Sequence, residues 1–143
     1  MVVMVQREVA RNMAAVPGQM RLLSVAVQLY GWPRIVASVP PRAFRPPPAV
    51  SSAVVRIDVY PDPAVTFDSE DHFFTLVRAG FSAPRKQIHN CLRNELPVSA
   101  DIIGTMLSDA GIDPSRRAQT LSLDDWGKLY ASFSTLREVL REV

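Results

Sequence analysis

Between Val39 and Val55 the chain sets five prolines, two arginines and one phenylalanine between two runs rich in β-branched residues. Proline fixes φ, removes the backbone donor and drives the preceding residue towards extended geometry. Pro46-Pro47-Pro48 is therefore expected to be stiff and nearly free of hydrogen bonds. Phe44 stands just ahead of it, flanked by Arg42 and Arg45. A rigid loop that offers one aromatic ring between two cations suits a flipped-out or single-stranded base. The ring stacks on the base while the guanidinium groups meet phosphate. The other reading is a proline-rich connection whose Phe44 plugs a core. The loop residues are compatible with both.

A second group of cations lies further on. Lys86, His89 and Arg93 are spaced three and four apart, which on a helix confines them to about a sixth of the circle. Arg85 sits beside them, and Arg116-Arg117 forms a smaller pair. Such a stripe either meets phosphate or is a solvated face. The remaining reactive types read as structural: Arg7 and Glu8 as a pair or a solvated helix start, and His72 as a surface residue. Trp126 and Tyr130 read as core, and Cys91 as packed rather than reactive. A single Cys excludes an intramolecular disulfide and favours a reducing compartment. Cys91, His72 and His89 are too few to build a structural zinc site.

These residues must be positioned by a chain of 143 residues, enough for one ordinary domain or two small ones. Its 48% apolar and 21% charged content is that of a globular protein. A net charge of +2 with a pI of about 9.0 does not by itself argue for nucleic acid; only clustering of the cations does. Nothing reaches the ~18 consecutive apolar residues of a membrane span. Met1 to Val5 is too short and too soon followed by charge for a signal peptide. The expectation is a soluble, cytoplasmic protein.

Val2 to Val5 is a short continuous apolar run, the pattern of a strand buried on both faces. Gln6 to Ala15 has helical composition and is broken by Pro17-Gly18. Leu22, Leu23, Val25, Ala26 and Leu29 recur at helical spacing, with Gly31-Trp32-Pro33 as the expected stop. Arg34 to Val39 reads as a second strand. Ser51 to Tyr60 reads as a third, with Ala53, Val55, Ile57 and Val59 on one face. After Pro61-Asp62-Pro63 the composition turns helical. Asp68 or Ser69 can cap a helix carrying Phe73, Phe74 and Val77, and Pro84 is expected in the first turn of the next. That helix has Ile88, Cys91, Leu92 and Leu96 on one side. A further helix runs through Ile102, Ile103, Met106, Leu107 and Ala110 and ends at Gly111. Ser122 to Asp125 forms a capping box with Asp for Glu, and Leu121 with Trp126 forms a staple. The expected architecture is α/β plus α, with residues 1–62 as part of a sheet domain and 63–143 as a small helical bundle.

Three blocks together resemble one family, the small-subunit ribosomal RNA adenine N6,N6-dimethyltransferases, related to the Erm enzymes. The first is Met4-Val5-Gln6-Arg7-Glu8-Val9-Ala10-Arg11, similar to the family's run at its fifth strand and the helix that follows. The second is the loop itself: Val39-Pro40-Pro41, Phe44, Pro46 to Pro48, Val50 and Ser52 to Val55. The third comprises Phe81, Arg85-Lys86, Asn90, Leu92, Gly111-Ile112-Asp113, Arg117 and Leu121-Ser122, similar to the family's helical domain. Pro84 stands where the family commonly has Arg. The segment Pro17 to Ser24 is about two residues shorter than in many relatives and lacks their Tyr-Gly.

The resemblance implies strands five, six and seven of a class I methyltransferase sheet, in the order 5-7-6, followed by a helical domain that sits on ribosomal RNA. It implies that Phe44 stacks on the target adenine. It further implies that Arg42, Arg45, Arg85, Lys86, His89, Arg93 and Arg117 meet RNA. The family's donor is S-adenosylmethionine, bound at a Gly-rich turn, with an Asn-Leu-Pro-Tyr motif holding the target amine. No Gly-x-Gly occurs in these 143 residues, and Asn94-Glu95-Leu96-Pro97 resembles the second motif only superficially. The expectation is therefore the C-terminal half of a dimethyltransferase of small-subunit ribosome biogenesis, inactive alone, with strand five as an open apolar edge. A stand-alone RNA-binding module without catalysis, or a non-functional remnant, are the alternatives.

Overall fold

The computed structural model describes residues 1–141, which fall into two compact units that part after Ala64. The first unit is a three-stranded antiparallel sheet with two short helices. Strand β1 (Val2–Gln6) leads directly into helix α1 (Arg7–Met13). Helix α2 (Leu22–Gln28) precedes β2 (Gly31–Val39), and β3 (Ser52–Val59) closes the sheet. The order is β1-β3-β2, so β3 is central and both neighbours run antiparallel to it. Ala53, Val55 and Ile57 alternate onto one face of β3 and pack with Ala10 and Met13 of α1. Val3, Val5, Val9 and Val27 lean against this cluster.

Three expectations for this unit are corrected. Strand β1 is covered on one face only: Val2 is 65% and Met4 54% exposed. Unbroken apolarity does not distinguish a two-sided strand from one whose second face is bare. Gly31-Trp32-Pro33 does not stop the helix but opens β2, paired with Val59, Asp58 and Ile57. Because β2 is an edge, the missing proline donor removes no ladder bond that a buried strand would need. Gly31 is there for closeness: a Cβ would lie 2.7 Å from Ile57 Cγ2 and 2.9 Å from the Asp58 carbonyl oxygen. Val59 is exposed, unlike the other three alternate residues of its strand.

The two helices are tied by polar groups that composition does not flag. The Gln28 amide donates to the carbonyls of Met13 (2.9 Å) and Ala15 (2.8 Å), satisfying acceptors that the end of α1 leaves open. The fully buried Ser24 hydroxyl donates to the Asn12 carbonyl and accepts from the Arg21 N–H at 2.9 Å. These bonds span the short Pro17 to Ser24 segment.

Among its described residues the second unit contains four α-helices: α3 (Glu70–Gly80), α4 (Ile88–Glu95), α5 (Ala100–Asp109) and α6 (Leu123–Arg141), with one 3₁₀ turn at Ala118–Thr120. Ser69 caps α3 by accepting from the His72 N–H, and Ser99 caps α5 by accepting from the Ile102 N–H. Helix α5 ends in a Schellman turn: Ile112 N–H donates to the Leu107 carbonyl and Gly111 N–H to that of Ser108. Gly111 has φ +69°, which is strained for any residue with a side chain. At the start of α6, Ser122 and Asp125 bond reciprocally, the Ser122 N–H to the carboxylate at 3.0 Å and the Asp125 N–H to the hydroxyl at 3.1 Å. Trp126 lies at the centre, fully buried and 5.6 Å from the Phe81 ring, with Leu121, Leu129 and Tyr130 also sealed. Pro84 is not inside a helix. It lies in a turn, and α4 begins four residues later at Ile88. Residues 82 to 87 instead reverse the chain so that α4 can fold back on α3.

Tyr130 ties α6 to the start of α3 by donating its hydroxyl to the Asp68 carboxylate, which Arg137 also approaches at 3.7 Å. The Tyr130 hydrogen bond, with smaller help from Arg137 and Ser134, holds the Asp68 carboxyl below its ordinary range. A group depressed in the folded state adds stability above its unfolded pKa and loses it as pH falls through the folded value. The melting temperature should therefore drop on acidification below about pH 4. Tyr130→Phe should flatten that decline in a series of melts against pH.

Two glycines make opposite predictions. A Cβ on Gly80 would sit 2.5 Å from Trp126 Cη2 and 3.0 Å from Ile88 Cδ1, whereas one on Gly104 in α5 meets nothing within 4 Å. Gly80→Ala should destabilise by about 1–3 kcal/mol through overpacking. Gly104→Ala should stabilise by about 0.5–1 kcal/mol through helix propensity. Urea unfolding of the two variants reads both signs.

Candidate functional site

The proline loop starts and ends at one position of the sheet. Ser52 of β3 is paired with Gln6 of β1 on one side and with Val39 of β2 on the other. Everything from Pro40 to Ser51 leaves the sheet at that point and returns to it. Pro41 to Ala43 make one 3₁₀ turn, with the Ala43 N–H on the Pro40 carbonyl and the Phe44 N–H on that of Pro41, both at 3.1 Å. Phe44 then turns extended (φ −114°, ψ 155°), and the Arg45–Pro46 peptide is cis.

This geometry sets the half-buried Phe44 ring as one wall of a cavity of about 310 Å³ at the end of β1. Met4, Val5, Gln6, Pro46, Pro48 and Ser52 form the rest. The ring is not sealed into either core: it belongs to neither the β3 cluster nor any other buried group. The plug reading of Phe44 therefore fails, and a ring facing a partly apolar recess remains. Arg42 and Arg45 are exposed on either side of it, with no ion pair or side-chain hydrogen bond among the described residues. The loop thus presents an aromatic face between two uncommitted cations. Gln6, Met4 and Ser52 are lining residues that sequence reasoning missed. Only the β1–β3 register brings them beneath Phe44, and no local spacing announces it.

The other expected residues lie in the second unit. Arg85 and Lys86 are exposed in the turn before α4, so Lys86 is not on the helical stripe anticipated for it. His89 and Arg93 do share a face of α4, at i and i+4, with His89 half-buried and Arg93 exposed in the last turn. The loop from Asp113 to Arg117 packs against the start of this helix: the Ile88 N–H donates to the Arg116 carbonyl at 2.6 Å and the His89 N–H to that of Pro114 at 3.4 Å. This fixes the backbone that precedes the exposed Arg117 against Ile88 and His89 at the start of α4, while Arg93 stands about one turn, ~6 Å, further along the helix. None of these five side chains has an ion pair or hydrogen bond among the described residues. The first amides of α4 are already occupied, so an anion there would have to be held by side chains.

Arg116 has a different job from its neighbour. Its guanidinium donates to the Thr120 carbonyl at 2.6 Å and the Thr120 hydroxyl at 3.2 Å, and reaches Asp125 at 3.5 Å. It braces the segment that presents Arg117. Cys91 is buried and donates its thiol to the Ala83 carbonyl at 3.4 Å, fastening the turn that carries Arg85 and Lys86. Arg7 and Glu8 are both exposed and make no pair with each other among the described residues. Among those residues no cluster of His, Cys, Asp and Glu gathers as a metal site, and no helix is long and apolar enough to cross a membrane.

The fold is that of known ribosomal RNA methyltransferases. A dimethyladenosine transferase from Plasmodium falciparum matches with a TM-score of 0.77 at 24% identity, over 94% of this chain and 56% of that one. The 23S rRNA methyltransferase ErmE matches with a TM-score of 0.64 at 21% identity, over 93% and 54%. Residues 1–135 match the model of the ribosomal RNA adenine dimethylase family. Ribosomal RNA small subunit methyltransferase A of Dehalococcoides mccartyi (strain CBDB1) is 47% identical over 94% of this chain and 46% of its own length. Its counterpart in Anoxybacillus flavithermus is 45% identical over 98% and 47%. The chain belongs to the ribosomal RNA adenine dimethylase family, and it spans about half the length of the curated relatives it matches.

Proposed function

We propose that these residues form the acceptor side of a small-subunit ribosomal RNA adenine N6,N6-dimethyltransferase. The observation that carries this is Phe44, held at the rim of a recess between Arg42 and Arg45 in a chain of this family. In this reading β1, β2 and β3 are strands five, six and seven of a class I methyltransferase sheet, and residues 1–62 belong to its catalytic domain. Residues 63–143 form the helical domain that docks on ribosomal RNA. Phe44 stacks on an adenine extruded from its own stack, and Arg42 and Arg45 neutralise the flanking phosphates. Arg85, Lys86, His89, Arg93 and Arg117 hold phosphate further along the RNA.

The family's methyl donor is S-adenosylmethionine. The residues at the Phe44 recess do not fit it. The lining holds no carboxylate to meet the donor's ammonium group or ribose hydroxyls, and no Gly-x-Gly turn exists to let a backbone approach it. What these residues supply is position: the ring fixes the plane of the base, and with it the direction of its exocyclic nitrogen. We assign them no methyl transfer on their own. A stand-alone RNA-binding module shares the phosphate contacts and can also use a stacking ring; what favours the acceptor side of an enzyme is the family to which the chain belongs.

Base stacking on an aromatic contributes roughly 1–3 kcal/mol. In a complete family enzyme carrying these residues, Phe44→Ala should therefore lower kcat/KM for rRNA methylation by about 5- to 150-fold, with Phe44→Trp largely active. Transfer from labelled donor by that enzyme, with the 143 residues alone as control, measures it. An unchanged rate in Phe44→Ala, or transfer by the control, would sink the reading.

The docking role has its own measurement. Each phosphate contact removed should lessen the dependence of log K on log salt by about one. Arg85→Ala with Lys86→Ala should reduce the slope of RNA binding by about two, whereas Arg93→Ala alone should reduce it by about one. A slope that does not move would reduce these cations to a solvated face.

A further inference from the structure

The recess beside Phe44 holds one side chain to which the proposed function gives no work. Phe44, Met4, Val5, Pro46 and Pro48 make its walls largely apolar, and among the described residues Gln6 and Ser52 are the polar side chains on it. None of these lining residues is charged. Its volume of about 310 Å³ is twice the ~150 Å³ that holds a six-carbon ring, so a bicyclic base fits. Such walls suit the face and edge of a neutral heteroaromatic ring, and the lining itself offers nothing to balance a phosphate.

Gln6 is placed to meet the edge of that ring. Successive residues of a strand point to opposite faces. Val3 and Val5 lean on the cluster formed with α1, so Val2, Met4 and Gln6 point the other way. Ser52 faces as Gln6 does: the two are paired, and its neighbour Ala53 is buried in the same cluster. The ladder fixes the backbone at Gln6, and just beyond it the Arg7 N–H donates to the Ser51 carbonyl at 3.0 Å. Gln6 also immediately precedes α1, where a side chain commonly caps free amides, yet it makes no cap bond. It is exposed, and its amide has no hydrogen bond among the described residues. The side chain is anchored at its root on a strand end and unspent at its tip, as a group that orients a ligand must be.

Stacking leaves a need that this amide can meet. The Phe44 ring confines the base to one plane, but a base can turn within its plane and swing its exocyclic nitrogen away from the donor. A hydrogen bond at the edge of the base stops that turn. We propose that Gln6 is the base-orienting residue of this site: its side-chain N–H donates to N1 or N7 of the stacked adenine, the ring nitrogens on either side of the exocyclic amine. A glutamine amide pairs with an adenine edge in the same manner where proteins read DNA. The inference rests on the stacking role proposed for Phe44 and adds the group that sets the angle of the base.

The test is single-turnover methylation by a complete family enzyme carrying these residues, at saturating RNA, with adenosine, 1-deazaadenosine or 7-deazaadenosine at the target position. Gln6→Leu should slow transfer to adenosine by about 3- to 10-fold, the worth of one hydrogen bond. Gln6→Glu keeps the size of the side chain but loses its donors, and it should be equally slow. Replacing the contacted nitrogen by C–H should cost the unaltered enzyme that factor more than it costs Gln6→Leu, because the variant has no bond left to lose. Gln6 is exposed, so neither change disturbs the core. Should Gln6→Leu nonetheless fail to fold, Gln6→Glu completes the same cycle. Equal costs in enzyme and variant for both deaza bases would mean that Gln6 touches neither nitrogen. Full activity of Gln6→Glu would mean that its N–H groups are not used. Either result overturns the proposal, and if Phe44→Ala is slow in the same assay the stacking role stands without it.

Discussion

Ser52 is paired on both sides, with Gln6 and with Val39, and the candidate site depends on that double pairing. A 12-residue excursion from Pro40 to Ser51 has many ways to close if its ends are free. Closing it on one residue of a central strand removes most of them. The prolines remove more, because each fixes a φ. What is left is a short 3₁₀ turn, one extended residue and a stiff return, so the Phe44 ring is carried to the end of β1. The ladder supplies the anchor and the prolines supply the stiffness. Neither would place the ring without the other.

The second unit reaches the same end by different means. Its basic residues are not held by a sheet but by the packing of a loop against a helix start. Arg116 and Cys91 spend their polar groups on backbone carbonyls, and through them the segments bearing Arg117 and Arg85-Lys86 acquire fixed places. Among the described residues the cations that carry the proposed docking role are unpaired, while their neighbour Arg116 is bound on three sides. A division of labour between adjacent arginines of the same type is set by where each can reach. It is also why Arg116→Ala and Arg117→Ala are different experiments, one on structure and one on surface charge.

The sequence carried much of this. Caps and stops were legible because their chemistry is local: Ser69, the Ser122–Asp125 box and the Gly111 turn each occupy the positions their residue types demand. The helical core was legible from residue type and periodicity, with Trp126 and Tyr130 buried as expected and Ile103, Met106 and Leu107 buried on the inner side of α5. Proline was less reliable. Pro33 lies within a strand because that strand is an edge, and Pro84 lies in a turn because the chain must reverse there. A proline excludes certain partners, but the environment selects among the structures that remain. The exposure of Val2 and Met4 escaped notice for a related reason, since apolar residues do not report which of two faces is covered.

By itself, then, the sequence determined the family, the order of elements and the identity of the ring and cations that bear the proposed chemistry, because motifs and periodicities are properties of neighbours along the chain. Tertiary structure decided the rest. It showed Phe44 lining a recess instead of filling a core, took Lys86 off its helical stripe and separated Arg116 from Arg117. The placing of Phe44 turns on contacts between residues far apart in sequence, which exist only once strands are in register, and the other two turn on how a loop packs against the helix beside it.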